Sequence, residues 1–131
     1  MDKIKVIIWG LGAMGSGMAK MALEKQGIEV VGAIASRPEK DGKDLGEVLD
    51  IDHVAEVKVS SDVDTVLKTE ADLVLLATSS FTREVYPQLQ KIIESRKNVI
   101  TIAEEMAYPA YEEPQIAESI DVLAREKNVT V

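Results

Sequence analysis

Gly10-Leu11-Gly12-Ala13-Met14-Gly15 places glycines at the first, third and sixth positions of a short run. That spacing suits a strand-to-helix turn wrapped on a phosphate. The first glycine permits the tight turn, the second lets the backbone approach a pyrophosphate, and the third lets the helix pack against the strand. Amides of the first helical turn then face the phosphates, where the helix dipole favours negative charge. Glycines are common in turns, so the reading depends on context, and a glycine-rich turn without a ligand is the alternative. Here an Ile/Val-rich run precedes the motif near the start of the chain and an apolar-periodic segment follows it. Gly17, inside that segment, fits close backbone packing of a helix.

A dinucleotide site of this kind normally has an acidic residue at the end of the second strand, where it bonds the ribose 2′-hydroxyl of NAD. This chain reads Ala33-Ile34-Ala35-Ser36-Arg37-Pro38 there and has no carboxylate. Ser36 can hydrogen-bond a 2′-phosphate and Arg37 can pair with it, which favours NADP. NAD stays open if Arg37 is a solvated loop residue and Glu39 or Asp41 turns inward. Ala77-Thr78-Ser79-Ser80 offers small side chains, amides and hydroxyls at another strand end, a suitable floor for the nicotinamide ribose. Ser79 or Ser80 can equally cap the next helix. Glu104 and Glu105 end a further strand, where one carboxylate could bind an ammonium or move a proton, although such a pair is commonly a solvated loop. With His53 as the single histidine and no cysteine, no usual zinc constellation can be assembled, and His53 is expected at the surface.

The elements that must position these residues alternate. Strands are expected at Lys3–Trp9, Ile28–Ala35, Glu56–Val59 (weak), Asp72–Ala77 and Val99–Ile102. Helices are expected at Ala13–Gln26, ended by Gly27 and packed through Met14, Met18, Met21 and Ala22, and at Leu45–Leu49, Val63–Lys68, Phe81–Ser95 and Pro114–Lys127. Pro87 should break or kink the fourth of these. Val129-Thr130-Val131 reads as the opening of another strand, whose unpaired edge suggests a longer protein or a partner. Alternation at these lengths implies right-handed crossovers and an α/β, doubly wound parallel sheet covered on both faces, a Rossmann dinucleotide-binding domain.

The chain has 131 residues, 46% of them hydrophobic, enough for one domain with a sizeable core. A net charge of -8, with scattered basic residues, argues against a nucleic-acid partner. No apolar run approaches the roughly 20 residues that span a bilayer, and the N-terminus lacks a signal-peptide core. Absent cysteines give no sign of a cross-linked secreted scaffold, so a soluble cytoplasmic protein is expected.

The run Val6 to Gly17, the loop Lys43-Asp44-Leu45-Gly46-Glu47-Val48 and the segment Ile102-Ala103-Glu104-Glu105-Met106-Ala107-Tyr108-Pro109 together carry a resemblance. Over nearly its whole length the chain resembles the N-terminal domain of the 2,4-diaminopentanoate dehydrogenase family, within the dihydrodipicolinate reductase-like proteins. The resemblance implies oxidative deamination of a small diamino-acid substrate, with NAD or NADP taking the hydride. It also implies a substrate and dimerisation domain beyond the last strand, and hence a homo-oligomer. Cofactor contacts carried over are Gly10 to Gly15, Ser36 and Arg37, and Ala77 to Ser79. Catalytic residues are not assigned by it. A free-standing nucleotide-binding or redox-sensing module without catalysis is the competing function.

Overall fold

Val6 and Ile8 point to one face of a strand and Ile7 and Trp9 to the other, and all four are buried, so this strand needs cover on both sides. In the computed structural model, which describes residues 3–107, 111 and 113–131, it is the centre of a five-stranded sheet. The strands are β1 (Ile4–Trp9), β2 (Ile28–Ile34), β3 (Val59–Ser60), β4 (Leu73–Leu76) and β5 (Asn98–Thr101). Their order is β3-β2-β1-β4-β5 and every pair is parallel. Strand order reverses between β1 and β4, which opens a crevice beyond their carboxyl ends.

Helices α3 (Val63–Leu67), α4 (Thr82–Glu94) and α5 (Pro114–Lys127) cover the face that carries Ile7, Trp9, Val74 and Leu76. Helices α1 (Ala13–Glu24) and α2 (Leu45–Val48) cover the other, over Val6, Ile8, Val30, Ala33 and Val59. This second cover is incomplete. Leu73, Leu75 and Ile100 share the α1 side by register, yet the leucines are only partly buried and Ile100 is 53% exposed. No described helix is long and apolar enough to cross a membrane.

Several sequence expectations change. The packed stripe of α1 is Gly15, Ala19 and Ala22, whereas Met14 and Met21 are exposed. Small side chains share the helical period with the methionines, and they let the helix lie closer to the sheet. A Cβ on Gly17 would touch nothing within 4 Å, so close packing does not explain that glycine. The helix also stops at Glu24, short of Gln26, and Gly27 (φ +86°) serves the turn into β2.

The third strand is shorter and later than expected, because residues 57 and 58 pair elsewhere. Leu45 N donates to Val57 O at 2.6 Å, Val57 N donates to Asp44 Oδ1 at 3.1 Å, and Lys58 bridges Asp44 in antiparallel fashion. Helix α4 runs through Pro87 without a break. After α5 ends at Asn128 (φ 57°), no sixth strand forms among the described residues, although Val99 N donates to Thr130 O at 2.9 Å beside β5.

Candidate functional site

The carboxyl ends of β1, β2 and β4 enclose a cleft of about 390 Å³, lined by Gly10, Leu11, Gly12, Ser36, Arg37, Lys40, Ala77, Thr78 and Gln88, with Trp9, Ile34 and Ala35 below. β1 delivers the glycine-rich turn, β2 delivers Ser36 and Arg37, and β4 delivers Ala77 and Thr78. The sheet therefore brings together three segments that are far apart in sequence.

Within the turn the glycines differ. Gly10 has φ +106°, and a Cβ there would collide with the Ala77 carbonyl oxygen. A Cβ on Gly15 would strike the Gly10 carbonyl oxygen and meet Ala77 Cβ at 3.3 Å. The fold itself requires both. Gly12 does not share this restriction: it precedes α1 at φ -74°, which any residue adopts, and a Cβ there would meet nothing within 4 Å. Its missing side chain leaves open space directly before the helix, where the first-turn amides of α1 point and, among the described residues, no side chain caps them.

Ser36 and Arg37 are exposed at the cleft, and the Arg37 guanidinium lies 4.0 Å from the Glu39 carboxylate. Asp41 is turned away, its carboxylate accepting from Ser61 N at 2.9 Å. Thr78 Oγ1 donates to Gln88 Oε1 at 2.5 Å, tying the β4 end to α4. Ser79 is absent from the cleft wall: its hydroxyl bonds the Glu84 carboxylate and accepts from Phe81 N at 3.2 Å, so it helps start α4. Ala13 and Met14 also lie outside the wall, in the first turn of α1, and Gly15 is buried behind it.

Lys40 and Gln88 line the cleft and were not picked out by the sequence motifs. Lys40 carried one signal, a basic residue in the turn after Arg37; Gln88 carried none, because only the packing of α4 brings it to Thr78. Glu105 sits in the 3₁₀ turn Glu104–Ala107 and caps α4 from across the chain, Thr82 N donating to Glu105 Oε1 at 2.9 Å. Trp9 is buried in the core and His53 is exposed. The Glu104 side chain and Tyr108 and Pro109 lie outside the described residues.

A parallel sheet in this order, with a glycine-rich turn leading from its first strand into a helix, defines a Rossmann-type nucleotide-binding domain. Residues 4–103 match the family described as dihydrodipicolinate reductase, N-terminus, and the chain belongs to that family. It is 46% identical to 2,4-diaminopentanoate dehydrogenase of Acetoanaerobium sticklandii, with 100% of this chain and 37% of that protein aligned. It is 30% identical to 4-hydroxy-tetrahydrodipicolinate reductase of Methanococcus vannielii over 79% of this chain and 48% of the relative. Among solved structures, amine dehydrogenase from Mycobacterium smegmatis superposes with a TM-score of 0.92 at 37% identity, over 96% of this chain and 37% of the other. The chain thus spans between about a third and a half of the length of these relatives.

Proposed function

We propose that the chain is the nicotinamide-dinucleotide-binding part of an oxidoreductase that oxidatively deaminates a small diamino acid such as 2,4-diaminopentanoate. The observation that carries the cofactor reading is Gly12. The fold imposes no constraint on it, yet the space in front of it lies between two glycines that the fold does require. A ligand approaching the backbone there accounts for the missing side chain. The substrate reading is supported by the 46% identity to a 2,4-diaminopentanoate dehydrogenase.

In this reading the α1 amides and the turn from Gly10 to Gly12 hold the diphosphate, and Ala77 and Thr78 support the nicotinamide ribose. Ser36 and Arg37 receive a 2′-phosphate, so NADP is preferred over NAD. When bound, the oxidised nicotinamide would supply the hydride acceptor that oxidation of an amine-bearing carbon requires. Groups that grip the substrate, and the contacts that build a homo-oligomer, belong to a further domain of a longer protein.

Gly12→Ala tests the site. The added methyl intrudes on the diphosphate, so binding of NADP and NAD measured by calorimetry should fall about tenfold or more, while the melting temperature stays within a few degrees. Equal affinity for the two proteins would refute the assignment.

A further inference from the structure

The ammonium of Lys40, a residue outside the glycine motif, reaches into the middle of that motif. Lys40 N donates to Arg37 O at 3.1 Å, closing a turn that folds the chain back over the cleft. Its Nζ then donates to Leu11 O at 2.6 Å, and the Ser16 hydroxyl donates to the same oxygen at 3.1 Å. Both lone pairs of that carbonyl are thereby engaged. Lys40 is half-buried and its ammonium keeps further N–H donors beyond the one given to Leu11. Ordering a long side chain costs rotamer entropy, and a single neutral acceptor uses little of what an ammonium offers.

From this placement we infer that Lys40 binds the diphosphate that NAD and NADP share, as a positive charge fixed over the glycine-rich turn before the ligand arrives. It also masks the Leu11 carbonyl, whose oxygen would otherwise repel an anion. Arg37 is placed differently, 72% exposed and 4.0 Å from Glu39, which suits the 2′-phosphate that NADP alone carries. The two cations therefore divide the work: Lys40 acts on every diphosphate ligand and Arg37 on one of them. This division rests on the cleft being a dinucleotide site.

The test uses the intact chain, the near-isosteric Lys40→Met and the charge-keeping Lys40→Arg. Each is titrated calorimetrically with NADP, NAD, ADP and adenosine at low and high salt. Lys40→Met should weaken ADP, NAD and NADP alike by about tenfold or more, since a charged hydrogen bond is lost, and leave adenosine unaffected. The loss should shrink as salt rises, because a partly exposed ion pair is screened. Lys40→Arg should retain most of the ADP affinity. A loss confined to NADP would move the ammonium to the 2′-phosphate and overturn the inference. So would an equal, salt-independent loss for adenosine and ADP, which would make Lys40 only a brace for the turn, and so would no loss at all. A loss in Lys40→Arg as large as in Lys40→Met would likewise remove charge as the cause. If the unmodified chain binds none of the four ligands, the dinucleotide reading itself falls, an outcome visible before any variant is made.

Discussion

Arg37 stands exposed at the outer side of the cleft, so what it contributes depends on whether a charged group comes to meet it. If it pairs with a 2′-phosphate, Arg37→Ala removes a charged hydrogen bond worth about 1.5 to 3 kcal/mol, or roughly ten- to a hundredfold in NADP affinity. NAD affinity should barely move, and the NADP loss should lessen at high salt. Titrating both cofactors against both proteins decides the matter, and equal weakening of the two would reduce Arg37 to a loop-positioning residue. At this scale Gly10 and Gly15 were legible in the sequence, because their steric demands are met within a few residues or across a strand pair that the pattern already implies, whereas the close packing expected of Gly17 is not found. Lys40 was not legible, because its contact with Leu11 bridges 29 positions and depends on the geometry of a turn. Met14 and Met21 misled for a different reason. Helical spacing reveals a stripe but does not say which of two stripes faces the sheet, and here the smaller side chains do.

Among the elements, α2 depends most on a single side chain. The Asp44 carboxylate accepts from Gly46 N at 2.8 Å, Ala55 N at 2.9 Å and Val57 N at 3.1 Å, so one residue starts α2 and closes the loop behind it. The Ala55 amide foremost, with those of Gly46 and Val57, holds its carboxyl below the ordinary aspartate value of 3.8 against an opposing desolvation. A depressed folded value means the contribution is fully present above that ordinary value and is lost as pH falls through the folded one. Asp44→Ala should therefore lower stability by about 1 to 3 kcal/mol at neutral pH, through amides left without a partner. Urea unfolding at neutral pH and near pH 3 measures this: the gap between the proteins should narrow at the lower pH, and a gap independent of pH would show that the charge is not responsible. This knot also explains why β3 was misplaced in the sequence reading. Of the run Glu56–Val59 only Val59 joins the sheet: Glu56 is left-handed at φ 61°, Val57 bonds residues 44 and 45, and Lys58 bridges Asp44. From β1 to β5 element order and type were otherwise readable, because parallel strands buried on both faces are nearly continuous apolar runs. The Glu105 cap on α4 was not, since it joins two elements through one carboxylate.

For the whole molecule, the uneven cover of the sheet has a consequence in hydrogen exchange. β1 is bonded to β2 and β4 and lies under helices on both faces, so its amides should exchange only when the entire chain unfolds. β5 has β4 on one side, Thr130 on the other, bonded through Val99 N to Thr130 O and Thr130 N to Asn98 Oδ1, and Ile100 facing water. It should therefore open by itself while the cleft, built on β1, β2 and β4, stays formed. If the chain binds NADP as proposed, ligand at about 100 times its dissociation constant would stabilise the fold by about 2.7 kcal/mol and slow exchange of the β1 amides about a hundredfold. Exchange in β5 should hardly change, since its opening does not release the ligand. Mass spectrometry of peptides covering residues 4–9 and 98–101 reads the two rates side by side. Equal slowing in both would mean that the sheet opens as one unit despite its bare half-face.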